Sequence, residues 1–224
     1  MSDLATVAKE AGLAVRHAGI IEGVDGVDDR DLKIGSVVLV QAATAVFVSK
    51  GIMPGRLANT ATEAEIKDTT FVVGYLTKLW SLYDNSGPTP KWVASSKNEN
   101  DPIFNGKLRR PDKDRKLKAE VIPTILAAGF IEGAPIKVAF KKASGYFAGQ
   151  DLYGYIRKAG SVWAKKYQLG SKLVPAQNGN PPYYAMTVTE VGDTTEQEQA
   201  MAKQLNAGFQ AKAAIAEDTS EVPF

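Results

Sequence analysis

Short β-branched runs separated by Gly, Pro and Asn dominate the hydrophobic pattern of this chain. "LATVAKEAGLAV" (4–15) has the alanine content and spacing of a short helix or arm, and "EGVDGVDDRD" follows as a Gly/Asp-dense loop. The pattern then turns to strands. "IGSVVLVQA" (34–42) is a continuous β-branched run of the kind buried strands show. "GIMPGRLANTAT" is loop, and "DTTFVVGYLTKLWSLYD" (68–84) predicts a long strand, or a strand pair kinked at Gly74. "DNSGPTP" predicts a turn that sends "KWVASS" (91–96) back as a hairpin partner.

The second half continues the alternation. "NGKLRRPDKDRKLK" (105–118) is polar with Pro111 in its middle, and "AEVIPTILAAGF" (119–130) has the look of a short apolar helix interrupted by Pro123. "APIKVAFKKA" (134–143) predicts a strand, "SGYFAGQDLYGYIRKAG" (144–160) a helix, and "SVWAKKYQLG" (161–170) another strand. After the turn-rich "VPAQNGNPP", "YYAMTVTEVG" (183–192) predicts the last strand. "DTTEQEQAMAKQLNAGFQAKAAIA" (193–216) opens with a Thr cap and an acidic first turn, as helices do. Hairpin-like turns outnumber crossovers, so the expected class is mainly β or α+β: an OB-like small β-barrel with helical additions and a flexible acidic C-terminal tail. The expected organisation is an N-terminal arm and acidic loop (1–33), the barrel domain (34–192), a C-terminal helix (193–215) and a disordered tail (216–224).

Composition narrows the function classes. The 224 residues include no cysteine and one histidine, which removes disulfide frameworks, zinc ribbons and most acid–base arrangements. His17 stands beside Arg16 with no second metal-binding partner. Asp25, Asp28, Asp29 and Asp31 lack the spacing of a calcium loop and are expected to be solvated. "SGYFAG" has Gly145 and Gly149 without the Lys-Ser/Thr of a phosphate loop. No enzymatic activity, metal or cofactor is expected. No run reaches the length of a membrane span, and "MSDLATVAKEAG" lacks the basic-then-apolar order of a secretion signal. The expectation is a cytoplasmic protein without a membrane partner.

The net charge of +2 conceals an uneven distribution. Residues 1–49 hold four Lys/Arg against seven Asp/Glu, residues 50–172 hold 21 against 11, and residues 190–224 hold two against seven. A basic body between an acidic front and an acidic tail suits a polyanionic partner. The same body interleaves cations with Trp80, Tyr83, Trp92, Phe104, Tyr146, Phe147, Tyr153, Tyr155 and Trp163. Single-stranded nucleic acid uses both groups: cations neutralise phosphates, and ring faces accept bases. Buried aromatics are ordinarily core, and Trp80, in an apolar strand, is assigned there. The candidate nucleic-acid-binding residues are Lys91 and Trp92; Lys141, Lys142, Tyr146 and Phe147 in "AFKKASGYFAG"; and Lys107, Arg109, Arg110, Lys113, Arg115 and Lys116 in the central basic run. A charge run is usually a solvated face, but this run's arginines suit phosphates and it lies between structured elements.

The terminal "EDTSEVPF" bears on the partner. Glu217, Asp218 and Glu221 lead into Val222, Pro223 and Phe224, and the stretch resembles the C-terminal tip of bacterial single-stranded DNA-binding proteins. Phage proteins of the T7 type likewise end in an acidic tail with a terminal aromatic. "LKIGSVVLVQ" and "KWVASS" are loosely similar to strands of such phage proteins. The resemblance implies partner binding through Glu221, Val222, Pro223 and Phe224, with the terminal ring in an apolar pocket and its carboxylate on a basic group. The combined expectation is a sequence-independent single-stranded DNA-binding protein of replication or recombination, which recruits other replication or recombination proteins through its tip. A homo-oligomer is compatible with it. The alternatives are a phage structural or assembly protein, and an RNA- or duplex-DNA-binding protein.

Overall fold

The computed structural model describes residues 34–86, 91–104, 119–177, 179 and 181–219, with the side chains at 143 and 211–219 excepted. Eight strands form one curled, mixed sheet. In chain order the elements are β1 (Gly35–Leu39), α1 (Ala45–Val48), β2 (Leu57–Asn59), β3 (Thr70–Asp84), β4 (Lys91–Ser96), a 3-10 turn (Pro102–Phe104), β5 (Ala119–Ile131), β6 (Ala134–Lys141), α2 (Lys142–Ala159), β7 (Lys165–Val174), β8 (Tyr183–Asp193) and α3 (Glu196–Thr219). The strand order is β2-β1-β6-β5-β3-β7-β8, with β4 attached to β3. Every pairing is antiparallel except that of β1 with β6.

Strand β3 organises the sheet. One flank pairs with β5 from Phe71↔Ile131 to Asp84↔Ala119. Its other flank is shared: Thr70–Val72 pair with β7, and Trp80–Asp84 with β4. The register shifts at Gly74, where the sequence suggested a kink. A Cβ there would stand 2.9 Å from the Ala202 carbonyl oxygen, so glycine lets α3 lie directly on the strand. Tyr75 then stacks on Phe209 of α3, with ring centroids 4.9 Å apart. The β5–β6 hairpin closes in two residues, Glu132 and Gly133, both at positive φ (50° and 74°), the geometry that suits a right-twisted hairpin.

The sheet curls around α2. Ala148, Leu152 and Ile156 of that helix enter a core with Phe71, Val73, Ile125, Phe140, Tyr167 and Leu169. The two ends of the curl meet through a side-chain amide. Gln41 donates to the Tyr184 carbonyl (2.7 Å) and accepts from the Tyr184 N–H (2.9 Å), the pattern a further strand would use. A second apolar cluster lies at the far end of β3 and contains Leu82, Phe104 and Val121, with Trp80 and Ala119 packed on it. The core role assigned to Trp80 is met there. At the start of α3, the Thr195 N–H donates to Glu198 Oε2 and the Glu198 N–H to Thr195 Oγ1, a capping box at the expected Thr-rich start. Among the described residues no helix is long and apolar enough to cross a membrane.

One element departs from expectation. Residues 119–131 form a strand, not a helix. Both faces of β5 are covered along most of its length, so it shows a continuous apolar run with no alternation to betray it. Pro123 is accommodated because β6 ends at the level of Thr124, where Lys141 pairs, so among the described residues β5 has no strand neighbour on that flank. The strand expected over 161–170 begins later, at Lys165, and continues to Val174.

Candidate nucleic-acid interface

At the far end of β3, three residues stand in a row across three strands. Trp92 of β4 pairs with Tyr83 of β3, and Tyr83 pairs with Glu120 of β5. Directly paired residues share a face of a sheet at about 5 Å spacing, so the order across the strands is indole, phenol, carboxylate. The local sequence explains the arrangement. β4 returns from the turn after Asp84, and a register shift between Leu82 and Tyr83 brings Trp92 opposite Tyr83. Trp92 is 47% exposed, and its Nε1 donates to Ser95 Oγ, which is also hydrogen-bonded to Ser81 Oγ.

Two lysines from the β6–α2 corner complete the group. Lys141 Nζ donates to the Tyr83 hydroxyl (2.8 Å) and lies 4.7 Å from the ring centroid. Lys142 Nζ donates to Glu120 Oε2 at 3.2 Å. Lys142 takes φ 55°, an uncommon conformation for a residue with a side chain, as the chain turns from strand into helix. Asn85 Nδ2 reaches the same Glu120 oxygen at 3.5 Å. Glu120 itself is only 9% exposed, unusual for a glutamate.

Of the expected contact residues, the structure thus brings Trp92, Lys141 and Lys142 together. Lys91 lies at the same end, opposite Asp84, but as the neighbour of Trp92 along an extended strand it points to the other face. The aromatic pair Tyr146 and Phe147 is divided: Tyr146 is half-buried against the main core, whereas Phe147 is 67% exposed on the outer side of α2. Lys107, Arg109, Arg110, Lys113, Arg115 and Lys116 lie outside the described residues, as do Glu221, Val222, Pro223 and Phe224. The residues that flank the basic run are described. Phe104 and Ala119 both belong to the apolar cluster around Leu82, directly beneath the row.

Tyr83, Asn85 and Glu120 were not singled out as site residues from sequence. Tyr83 carried a signal as one of the aromatics interleaved with cations. Glu120, next to a basic run, carried none, because its importance comes from a strand pairing far away in sequence. Among the described residues no three His, Cys, Asp or Glu side chains are grouped to hold a metal ion. No protein-family model, curated protein or solved structure matches the chain.

Proposed function

We propose that this protein binds single-stranded DNA without catalysis, and that the end of the sheet around Trp92, Tyr83, Lys141 and Lys142 is where strand and protein meet. The observation that carries the reading is the union of an exposed indole, a phenol and two ammonium groups on one sheet end, with the basic run 105–118 leaving and rejoining the fold beneath them. Stacking on a ring is available to every base, and phosphate neutralisation to every nucleotide, so the surface suits binding without strict sequence dependence.

The connectivity supports an OB-like reading of the half-barrel. A bulged first strand (β3) is shared between the second (β5) and the fourth (β7); a helix (α2) joins the third (β6) to the fourth; and β8 ends the run. In OB-folds the faces of the second and third strands, and the loops after the first and fourth, take oligonucleotides. Here the loop after the first strand is the connection that carries β4 and the basic run, while Glu120 and Lys141 belong to the second and third strands. The acidic tip forms a second, separable part of the proposal: Glu221–Phe224 would dock replication or recombination proteins.

Titration with oligo(dT) tests the reading. Trp fluorescence should be quenched on binding, and affinity should fall steeply as salt rises. Trp92→Ala should weaken binding by about 1–3 kcal/mol, the cost of removing one stacking partner. An absence of binding at low salt overturns the reading. Competition with RNA and duplex DNA then measures the preference, and deletion of Val222–Phe224 should leave oligo(dT) affinity unchanged or slightly raised.

A further inference from the structure

Glu120 is an unusual residue to find at a phosphate-binding surface, because a carboxylate repels the ligand's backbone. Its second oxygen suggests why it is there. Oε2 accepts from both Lys142 and Asn85, while among the described residues nothing donates to Oε1. The amide of Asn85 is turned so that Nδ2 faces Glu120, and its Oδ1 is buried, also with no donor among the described residues. A buried acceptor left without a donor costs free energy that a ligand can recover. Asn85 Oδ1 is such an acceptor, and it stands with Glu120 Oε1 at the carboxylate end of the row, next to the Tyr83 ring and two strands from Trp92.

We infer that Glu120 and Asn85 form a guanine-selective recess beside the stacking platform, an inference that rests on the single-stranded DNA reading. Unpaired bases offer their Watson–Crick edges to proteins. Guanine alone presents two adjacent donors on that edge, N1–H and the N2 amino group, which match two neighbouring acceptors. Cytosine and adenine each offer one amino group beside a ring acceptor. Thymine offers one N–H between two carbonyl oxygens that a carboxylate repels. A purine seated over Tyr83, between Trp92 and Glu120, meets the indole at one end and turns its Watson–Crick edge to Glu120 at the other. Lys142 and Asn85 hold the carboxylate in place through Oε2 and leave Oε1 for the base.

The test compares short thymidine oligonucleotides that differ at one central position: dT, dG or deoxyinosine, which lacks the N2 amino group. Wild-type protein should bind the dG oligonucleotide about tenfold more tightly than all-dT, the discrimination expected of a good two-bond contact. Deoxyinosine should fall between them. Glu120→Gln, which can place an amide NH2 where Oε1 stood, should bring the ratio of dG to dT affinity down to about one. Equal wild-type affinity for dG and dT, or a dG preference that survives in E120Q, overturns the inference and leaves single-strand binding intact. Failure to bind any of the oligonucleotides overturns the single-strand reading, and the recess with it. The deoxyinosine comparison needs no variant, so it remains decisive if E120Q folds poorly.

Discussion

Tyr167 shows how a single side chain sets a property of the whole protein. It is fully buried in the main core, 6.3 Å from the Tyr155 ring, and among the described residues its hydroxyl has no hydrogen-bond partner. Burial pushes its pKa up to about 12, and the negative charge of Glu190 adds to the shift. The unfolded chain releases this proton near pH 10, but the folded protein holds it to about 12. The linked stability is therefore intact below pH 10 and is lost as pH rises through 12, by on the order of 2 kcal/mol. Tyr167→Phe should remove that part of the alkaline loss. It should also match or exceed wild-type stability at pH 7 by about 1 kcal/mol, because it deletes an unsatisfied buried hydroxyl. Denaturant titrations of both proteins at pH 7 and pH 11 check this; a stability difference that stays constant between the two pH values counts against it.

At the scale of elements, α2 carries two glycines with opposite consequences. A Cβ on Gly149 would come 2.7 Å from Phe140 Cβ and 3.0 Å from Ile125 Cβ, whereas one on Gly154 would meet nothing within 4 Å. Gly149→Ala should therefore push the helix off β5 and β6 and destabilise the protein by roughly 1–2 kcal/mol, despite alanine's better helix propensity. Gly154→Ala should show that propensity alone and stabilise by about 0.5–1 kcal/mol. Urea titrations of the two variants should move in opposite directions, and a stabilised Gly149→Ala would mean that α2 packs less closely than described. Nothing in "SGYFAGQDLYGYIRKAG" separates the two glycines, because the distinction lies in what faces each one. The same limit explains β5. β3, β4, β6 and β8 were legible because β-branched runs lay between clear turns, but β5 is covered on both faces and its apolar run has no period to read. Register is equally hidden, so Trp92, Tyr83 and Lys141 could be named as chemistry while the pairing that unites them with Glu120 could not.

For the molecule as a whole, the uneven charge distribution is the feature the sequence stated most plainly, and the fold places the two residues between which its basic run lies. The strongest cationic run, 105–118, joins Phe104 to Ala119, and both flanking residues are anchored in the apolar cluster with Leu82 and Val121. The residues that flank the run are therefore fixed beneath the Trp92–Tyr83–Glu120 row, and none of the run's basic residues is among the side chains that form that cluster. Changing Arg109, Arg110, Lys113, Arg115 and Lys116 together to Gln should leave the thermal transition unmoved. It should also flatten the plot of log affinity for oligo(dT) against log salt by roughly 0.7 for every phosphate that is no longer neutralised. Trp92→Ala should do the reverse, lowering affinity at every salt concentration while the slope stays as in wild type, since an indole releases no counterions. The two effects should add in the combined variant if the run supplies charge and the row supplies stacking at independent points on one strand. An unchanged salt slope in the five-residue variant would remove the run from the interface and leave Lys141 and Lys142 to carry the electrostatic part alone.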